Sequence, residues 1–371
     1  MRILVLNGGS SSFKYALYEI SQDDAPTVAS QPLFREDLER LGTECRATLE
    51  PVLRRAGSVD AVGHRIVHGG SYRAATWITP EVRAAISGQA EVAPAHNRLE
   101  LEAIDTVEAV LGTRVRQAAV FDTAFHATLP PSAYTYPGPY EWFSSDGVRR
   151  YGFHGISYQY ATRQAAEVLR GTPRRLLVCH LGNGASLCAV REGRSLDTTM
   201  GFTPLDGLMM ATRCGSIDPG IMTYLLRHRQ YTVERLDEIL NRESGLLGIS
   251  GVSGDMRAIL RAVADGDVRA QLAFDIYMHR LVREAGAMIA VLGGLDALVF
   301  TGGVGENSSA VREALCKQLA FLGVTIDPSI DVQSELDQNI AAIGSSVPVL
   351  VIHAQEEWEI ARECWRLLSH R

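Results

Sequence analysis

Two stretches of the chain repeat one pattern, and this repeat limits the folds that the sequence can adopt. LVLNGGSSSFKYALYE near the N-terminus and LVCHLGNGASLCAVREG at residues 177–193 each combine a buried strand, a turn of Asn, Gly and Ser, and a second strand with polar alternation. A third buried strand leads into a Gly-rich turn in ALVFTGGVGENSSAVREAL, residues 297–315. The repeat predicts two related domains with an α/β fold.

The remaining patterns agree with this fold class. Strand-like runs recur at residues 118–121 and 349–352, and helical patterns lie at 236–240 and 268–291. The third Gly-rich turn is expected to open a helix, with Asn307 or Ser308 as the N-cap. Proline-rich segments at residues 130–139 mark the expected domain junction, and residues 21–31 are the candidate flexible turn.

Composition excludes several classes of partner. With 371 residues the chain is too long for one ordinary core and fits two domains. Its formal net charge of −7 leaves no basic surplus for nucleic acid or an anionic membrane. The apolar stretch at residues 285–300 is interrupted and too short for a membrane span. The six cysteines lack metal-binding spacing, and several lie in apolar runs, which predicts a reducing, cytoplasmic location.

The Gly-rich turns are candidate phosphate sites. Backbone N–H groups in such turns can point together at an anion, and Lys14 adds a positive charge beside the first turn. Three such turns, each after a buried strand, favour a nucleotide with several phosphates over the alternative of simple hairpins and caps. None has the spacing of a P-loop or a Rossmann turn, so ATP would bind in another way.

Five further stretches place polar residues where elements are expected to end: residues 62–70, 119–130, 149–158, 198–220 and 250–260. They contain two arginines, an aspartate and a histidine suited to an anionic substrate, namely Arg65, Arg213, Asp122 and His154. Each also has a simpler interpretation, such as an N-cap for a strand-end Asp or a buried core position for a His. The sequence alone does not bring the four together.

Taken together, the motifs resemble those of the acetate kinase family over essentially the whole chain. The matching strings, in the family's order, are LVLNGGSSSFKY, HRIVHGG, FDTAFH, YGFHG, CHLGNGAS, MGFTPLDGLMMATRCGSIDPG, SGVSGDMR and TGGVGENS. The resemblance implies two duplicated actin-like domains of the ribonuclease H-like type shared with hexokinase and the Hsp70 ATPase domain, with the active site in the cleft between them. The expected domains are residues 1–127, completed by a C-terminal helix at 358–371, and residues 128–357.

The resemblance also implies an activity. The family transfers phosphate reversibly between ATP and a short-chain carboxylate, acetate in the first place, giving an acyl phosphate and ADP with Mg²⁺; Mn²⁺ is an alternative ion. It works as a homodimer. The alternatives are a kinase that prefers propionate or butyrate, and a non-catalytic actin-like ATP-binding regulator. The presence of Arg65, Asp122, His154 and Arg213 favours catalysis over the regulator.

By the same resemblance, Asn7 and Glu356 would hold the metal, with Glu357 as the alternative to Glu356. The ATP-binding set would lie in both domains and comprise Lys14, His180, Leu181, Gly182, Asn183, Gly184, Asp255, Met256, Arg257, Gly303, Val304, Gly305, Glu306 and Asn307. Met256 stands where an aromatic residue is common, which leaves the nucleotide preference open.

The catalytic residues implied by the resemblance are Asp122, His154 and Arg213, and the substrate-binding residues are Arg65, Val67, Phe153 and Pro204. The carboxylic acid substrate has a pKa of about 4, so at neutral pH it has no proton to lose. Asp122 is therefore not expected to act as a base that abstracts a proton from it. We expect it to orient an arginine or a Mg²⁺-bound water.

One loop departs from the family pattern. Residues 96–100 read HNRLE where the family has His-Asn-Pro-Pro-Asn, and Ala95 replaces a leucine that helps to close the acyl pocket. The smaller side chain leaves space for roughly one or two methylenes, each worth about 0.8 kcal/mol if buried. This favours propionate as a substrate unless neighbouring side chains refill the space.

Overall fold

The chain divides into two units, each built on one six-stranded sheet. The computed structural model describes residues 1–8, 12–22, 29–39, 45–89, 94–330 and 337–369, without the side chains of residues 12, 38, 39 and 94–97. Unit 1 comprises Met1–Ala127, Phe153–Tyr160 and Gln355–Arg371, and unit 2 comprises Thr128–Gly152 and Ala161–Ala354. Part of the candidate flexible turn, residues 23–28, lies outside the described residues, as do the side chains of Ala95, His96 and Asn97.

Unit 1 contains a mixed sheet. Its strands are β1 (Arg2–Gly8), β2 (Ser12–Glu19), β3 (Phe34–Glu39), β4 (Ala61–Ile66), β5 (Thr76–Trp77) and β6 (Arg116–Phe121). Their order in the sheet is β3-β2-β1-β4-β6-β5. β1, β2 and β3 pair in antiparallel fashion, whereas β1, β4 and β6 are parallel neighbours. The two strands predicted near the N-terminus are therefore confirmed as the β1–β2 pair. The carboxyl ends of the parallel strands β1, β4 and β6 lie at one edge of the sheet.

Helices α1 (Cys45–Ala56), α2 (Pro80–Gly88) and α3 (Pro94–Leu111) complete the core of this sheet. Apolar side chains of β1 and β2 pack with α1 and α3 in one cluster that includes Leu4, Leu6, Tyr15, Leu17, Leu49, Leu53 and Val107. A second cluster joins α2 and α3 to the ends of β4 and β6 through Ile66, Ile86, Ile104 and Phe121. Full burial of each such side chain stabilises the fold by about 1.5–3 kcal/mol. The two clusters thus fix the strand ends at the carboxyl edge of the sheet.

Unit 2 repeats this strand arrangement. Its strands are β7 (Arg175–Leu181), β8 (Ala185–Arg191), β9 (Arg194–Thr198), β10 (Ala297–Thr301), β11 (Gln338–Asn339) and β12 (Val349–Val351). Here β7, β8 and β9 are antiparallel, and β7, β10 and β12 are parallel. Taken from its antiparallel end, the order β9-β8-β7-β10-β12-β11 corresponds strand for strand to β3-β2-β1-β4-β6-β5. The predicted duplication is confirmed at the level of topology.

The helices that follow in chain order are α4 (Pro131–Tyr134), α5 (Tyr140–Ser144), α6 (Gly155–Val168), α7 (Pro219–His228), α8 (Val233–Arg242), α9 (Gly245–Ser250), α10 (Met256–Ala264), α11 (Val268–Leu292), α12 (Gly302–Asn307) and α13 (Ser309–Gln318). Short 3-10 helices lie at Ala124–Thr128 and Ala320–Leu322. The helical patterns at 236–240 and 268–291 are confirmed as α8 and α11. Neither the 25-residue α11 nor another described helix is long and apolar enough to cross a membrane.

The third Gly-rich stretch differs from its prediction. Residues Gly302–Asn307 form the short helix α12 itself, rather than a turn that leads into a helix. The next helix, α13, then begins after Ser308, whose hydroxyl accepts a hydrogen bond from the Val311 amide at 3.4 Å. Of the two candidate N-caps, Ser308 is therefore the one used.

The C-terminal helix α14 (Glu356–Ser369) packs on the unit 1 sheet and begins two residues earlier than predicted. Glu356 and Glu357 are consequently its first two residues, not part of a turn. A Cβ atom at Gly63 on β4 would lie 2.6 Å from Cys364 Sγ and 2.7 Å from Ile360 Cγ2, which shows how closely α14 approaches the strand. Carboxylates in the first turn of a helix interact favourably with its dipole.

Candidate active site

Four predicted site residues meet at the carboxyl edge of the unit 1 sheet. Asn7 lies near the end of β1, Arg65 near the end of β4, Asp122 directly after β6, and Glu356 at the start of α14. β1, β4 and β6 are parallel, so their carboxyl ends reach the same edge. Ligand sites in open α/β sheets characteristically lie at this edge.

The centre of the cluster is a buried ion pair between Arg65 and Asp122. Arg65 Nη2 lies 2.6 Å from Asp122 Oδ2, and Arg65 Nε lies 3.1 Å and 3.2 Å from the two carboxylate oxygens. The side chains are 12% and 1% exposed. This bidentate geometry fixes the plane of the guanidinium as well as its position.

Burial and charge act against each other in this pair. Burial acts to lower the pKa of Arg65, but the carboxylates of Asp122 and Glu356 outweigh it and raise the pKa above its ordinary value. Burial raises the pKa of Asp122, while the Arg65 guanidinium acts in the opposite direction. Arg65 therefore stays cationic, and its charge is held at the sheet edge by a carboxylate that has little contact with solvent.

His154 is attached to the same point through its backbone. Its amide donates a hydrogen bond to the Asp122 carboxylate, and the next amide, that of Gly155, donates to the Asp122 carbonyl at 2.9 Å. A Cβ atom on Gly155 would lie 2.0 Å from that carbonyl, so only glycine fits. His154 itself has φ of 58°, a left-handed conformation that costs a non-glycine residue of order 1–3 kcal/mol.

The amide of Asn7 links the ion pair to α14. Its Nδ2 donates to Glu357 Oε1 at 2.7 Å and to Glu356 Oε2 at 3.2 Å, while Oδ1 accepts from Arg65 Nη1 at 3.2 Å. Glu357 is 2% exposed and lies 3.3 Å from Arg35, whereas the Glu356 side chain is 14% exposed. Glu357 is thus engaged inside the unit, and Glu356 is the more accessible carboxylate.

The oxygens of Asn7 and Glu356 are suited to a magnesium ion. Mg²⁺ prefers hard oxygen ligands, and in nucleotide enzymes it takes one or two from the protein and the rest from phosphates and water. In the described part of the chain, no group of three or more His, Cys, Asp or Glu side chains is arranged to hold a metal ion. Asn7 and Glu356 thus offer an amide oxygen and a carboxylate, which is the number of protein ligands that Mg²⁺ takes in nucleotide enzymes.

Three further predicted residues of unit 1 lie close to this cluster. Lys14 is directly opposite Asn7 in the β1–β2 register, which puts both side chains on the same face of the sheet. Val67 and Phe153 are buried, and the Phe153 ring centroid lies 5.7 Å from that of His68. Sequence reasoning gave no role to Glu100, whose Oε1 accepts a hydrogen bond from the Val67 amide at 2.9 Å.

In unit 2 the structure brings two of the predicted ATP-binding stretches together. His180 near the end of β7 is paired with Thr301 at the end of β10. The following residue, Gly302, has φ of 79°, and a Cβ atom there would lie 2.9 Å from the Leu181 carbonyl. Only glycine allows α12 to start so close to the β7–β8 turn, which is itself closed by a 3.0 Å bond from the Gly182 amide to the Gly184 carbonyl.

Side chains within unit 2 hold α12 in place. Glu306 Oε1 accepts from the amides of Gly302 at 2.8 Å and Ala354 at 2.9 Å, and Asn307 Nδ2 donates to the Gly303 carbonyl at 2.9 Å. Buried Arg312 donates from Nη1 to the carbonyls of Gly305 and Glu306 at 2.9 Å and 2.6 Å. Sequence reasoning missed Arg312, because an arginine three residues into a helix normally indicates a solvated position.

The other predicted unit 2 residues fall into two places. Asp255 caps α10 and pairs with Arg257 at 2.7 Å, while the Met256 side chain is buried. Arg213 lies in the irregular stretch before α7, where its Nη1 donates to the Pro204 carbonyl at 3.1 Å. The carbonyls of residues 198–200 in the same stretch all accept from Arg150 Nη1, at 2.9–3.0 Å.

The duplicated sheets define an α/β protein of the actin-like class, and the fixed Arg65 of unit 1, like the β7–β8 turn and the glycine-dependent start of α12 in unit 2, is suited to an anionic group. The model of the acetokinase family matches residues 45–362. The chain therefore belongs to the acetokinase family.

Relatives match over the full length. The chain is 50% identical to an acetate kinase of Nostoc punctiforme, with 100% of both chains covered, and 49% identical to one of Gloeobacter violaceus, with 99% and 100% covered. Among solved structures, an acetate kinase of Porphyromonas gingivalis superposes with a TM-score of 0.87 at 37% identity and 99% coverage of both chains. A propionate kinase of Francisella tularensis gives 0.86 at 37% identity and 98% coverage of both chains.

These relatives confirm the recognised family and the predicted fold class. They also favour the catalytic interpretation over the non-catalytic regulator, since each carries the name of a kinase.

The substitution Asp122→Asn tests the ion pair. It keeps the shape of the side chain but removes its charge, so Arg65 loses charge-assisted hydrogen bonds worth about 1.5–3 kcal/mol. We expect kcat to fall roughly 10- to 100-fold, with no new pH dependence, in steady-state kinetics between pH 6 and 9. Asp105→Asn on the exposed side of α3 is the matched control and should leave kcat unchanged. Recovery of kcat in the Asp122→Asn variant at high pH would contradict an orienting role for Asp122.

Proposed function

We propose that the protein transfers the γ-phosphoryl group of ATP reversibly to a short-chain carboxylate, with acetate as the main substrate. The observation that carries this proposal is the Arg65 guanidinium, fixed by Asp122 at the carboxyl edge beside the oxygen ligands of Asn7 and Glu356. A planar guanidinium held in a fixed orientation is suited to binding a carboxylate or a phosphoryl group. Family membership supports the same reaction.

The chemistry requires positioning more than covalent help. A carboxylate oxygen attacks the γ-phosphorus, a new O–P bond forms, the bond to the β-γ bridging oxygen breaks, and ADP leaves with that electron pair. The nucleophile is already ionised at neutral pH, so no base is needed. Asp122, which is engaged with Arg65, accordingly orients the guanidinium rather than abstracting a proton. This contact supports the first of the two roles expected for it.

Charge on the transferring group needs a cationic surround. We assign this task to Arg65 and, from the second unit, Arg213, with the His154 imidazole as a hydrogen-bond donor. Asn7 and Glu356 would hold Mg²⁺, which when bound supplies positive charge to the β- and γ-phosphate oxygens. The Gly-rich backbone of the β7–β8 turn and of α12 supports the assignment of the phosphate side to unit 2.

An acid panel tests the reaction. With ATP and Mg²⁺, we expect acetate to give an acyl phosphate that hydroxylamine traps as a hydroxamate, and Arg65→Ala to lower its rate by at least about tenfold through loss of a charge-assisted contact. Absence of hydroxamate from acetate, propionate and butyrate alike would overturn the proposed function.

The same panel decides substrate preference. Similarity to the Francisella tularensis propionate kinase nearly equals that to the Porphyromonas gingivalis acetate kinase, so propionate is the second candidate. A kcat/KM for propionate at or above that for acetate would support the enlarged acyl pocket inferred from Ala95. A strong preference for acetate would show that neighbouring side chains refill the space.

Two variants separate the metal ligand from its neighbour. We expect Glu356→Gln to raise the Mg²⁺ concentration for half-maximal activity by about tenfold or more, because a neutral amide binds the ion less well. Glu357→Gln can still accept from Asn7 but leaves Arg35 without its buried partner, so it should mainly lower the melting temperature. Activity titrations with MgCl₂ and thermal melts distinguish the two. The opposite pattern would assign the metal to Glu357.

We also propose that the protein forms a homodimer in the cytoplasm. All six cysteines are free, which supports a reducing compartment. Helix α7 is amphipathic in sequence yet has no buried residue in the single chain, and its Ile221 and Tyr224 are exposed. A second copy of the chain is the partner we propose for this face, since exposed apolar patches characteristically mark interfaces.

The dimer has a direct test. In sedimentation experiments we expect twice the chain mass of 40.4 kDa for the unaltered protein, and a shift towards the single-chain mass for Ile221→Asp combined with Tyr224→Asp, because charges at an apolar interface are unpaired. Phe321→Asp, at an exposed apolar residue on another element, is the control and should not dissociate the dimer. A monomeric unaltered protein would refute the proposal.

A further inference from the structure

Glu100 is a buried acid behind the substrate side of unit 1. It lies on α3 and is 6% exposed. Its Oε1 accepts a hydrogen bond from the Val67 amide at 2.9 Å. Among the described residues, no donor or acceptor lies within hydrogen-bonding distance of its Oε2. Glu100 therefore fixes the backbone two residues after Arg65 while one of its oxygens has no described partner.

The charges around Glu100 do not provide it with a counter-ion of its own. Arg65 on β4 and Asp122 after β6 act on it electrostatically, but the Arg65 guanidinium is already bound by Asp122 and lies 3.9 Å from Glu356. His64 and His68, on either side of this part of β4, are buried, and burial lowers the pKa of both to about 4, so they are neutral at pH 7.

Three ion pairs on the neighbouring helices engage charged groups there with one another. On α1, Arg54 pairs with Glu50 at 2.6 Å. On α2, Arg83 pairs with Asp105 of α3. On α3 itself, Arg98 pairs with Glu102 at 3.3 Å, and their side chains are 82% and 40% exposed. Burial consequently raises the pKa of Glu100 to about 8, against the opposing effects of the Val67 amide and Arg65.

We propose that Glu100 is a positioning residue for the carboxylate substrate. In its neutral form it holds the Val67 backbone beside Arg65. It then carries no negative charge that would compete with the substrate anion for the Arg65 guanidinium. When it ionises, it places a competing negative charge next to Arg65 and weakens substrate binding. The proposal rests on the proposed function, in which Arg65 binds the carboxylate.

The sign of the pH dependence follows from these charges. Acetate remains an anion throughout the range above pH 6. Glu100 is neutral below its pKa and ionised above it, so the KM for acetate should be flat at lower pH and rise as the pH passes through about 8. At pH 9 the rise approaches about tenfold if the ionised form does not bind acetate, because a group is then about nine-tenths ionised.

The experiment compares the unaltered protein with Glu100→Gln over pH 6.5–9.5, measuring kcat and the KM for acetate at saturating ATP and Mg²⁺. Glutamine is nearly isosteric and can still accept from the Val67 amide, but it cannot ionise. We expect its KM to equal that of the unaltered protein at pH 6.5 and to lack the alkaline rise. Glu102→Gln, the same change two residues on at a partly exposed side chain, is the matched control and should retain the rise.

A second variant separates position from charge. Glu100→Ala loses the bond to Val67 at every pH, so its KM should be raised throughout the range and should also lack the alkaline rise. An alkaline rise that persists in Glu100→Gln, or a flat KM in the active unaltered protein, would overturn the proposal.

Thermal melts distinguish this failure from failure of the proposed function. Glu100 in the unfolded chain ionises near its ordinary pKa of about 4.3. The folded protein keeps the proton up to about pH 8, so the stability contributed by the neutral acid is lost between these values as the pH rises. The melting temperature of Glu100→Gln relative to the unaltered protein should therefore increase from pH 5 to pH 8. If no acid is phosphorylated, the function is overturned, and the melts still report whether Glu100 holds its proton.

Discussion

The buried ion pair between Arg65 and Asp122 is the interaction on which the unit 1 site depends. Removing two charges from water is costly, and their attraction compensates only when further hydrogen bonds satisfy both groups. Here Asn7 Oδ1 and the His154 amide supply such bonds. One pair thereby joins the ends of three parallel strands to the segment that precedes α6. Loss of either partner would leave the other buried group without its main counter-charge.

The fold was predictable because its signals are local and repeated. A buried strand, a small polar turn and a second strand can be recognised in the sequence, and the same pattern at residues 4–19 and 177–193 indicated a duplication. The helical state of Gly302–Asn307 could not be predicted in this way. Two of its constraints are distant in sequence: the Leu181 backbone and the Ala354 amide that Glu306 binds. Glycine-rich segments have weak local preferences, so tertiary contacts decide their conformation.

The candidate site was predictable where residue type alone is informative. Arg65, Asp122 and Asn7 stand at strand ends that parallel pairing brings together. The supporting roles were not predictable, because Glu100 and Arg312, and Glu357 which was predicted only as an alternative metal ligand, are charged side chains on helices, which in most proteins face water. Their roles arise from burial: each binds a backbone amide, a carbonyl or an amide side chain that the fold places beside it. The functional roles themselves stay predictions until variants are measured.

The left-handed backbone of His154 affects how its variants must be interpreted. Alanine at this position would remove the imidazole and also carry the steric cost of φ near 58°, so its effect would combine lost chemistry with a displaced amide at Asp122. Asparagine tolerates this region of φ and ψ far better. An Asn substitution therefore removes the imidazole with little change in backbone cost, and a Gly substitution removes both the imidazole and that cost. Mutagenesis of this residue with alanine alone would overstate what the imidazole contributes.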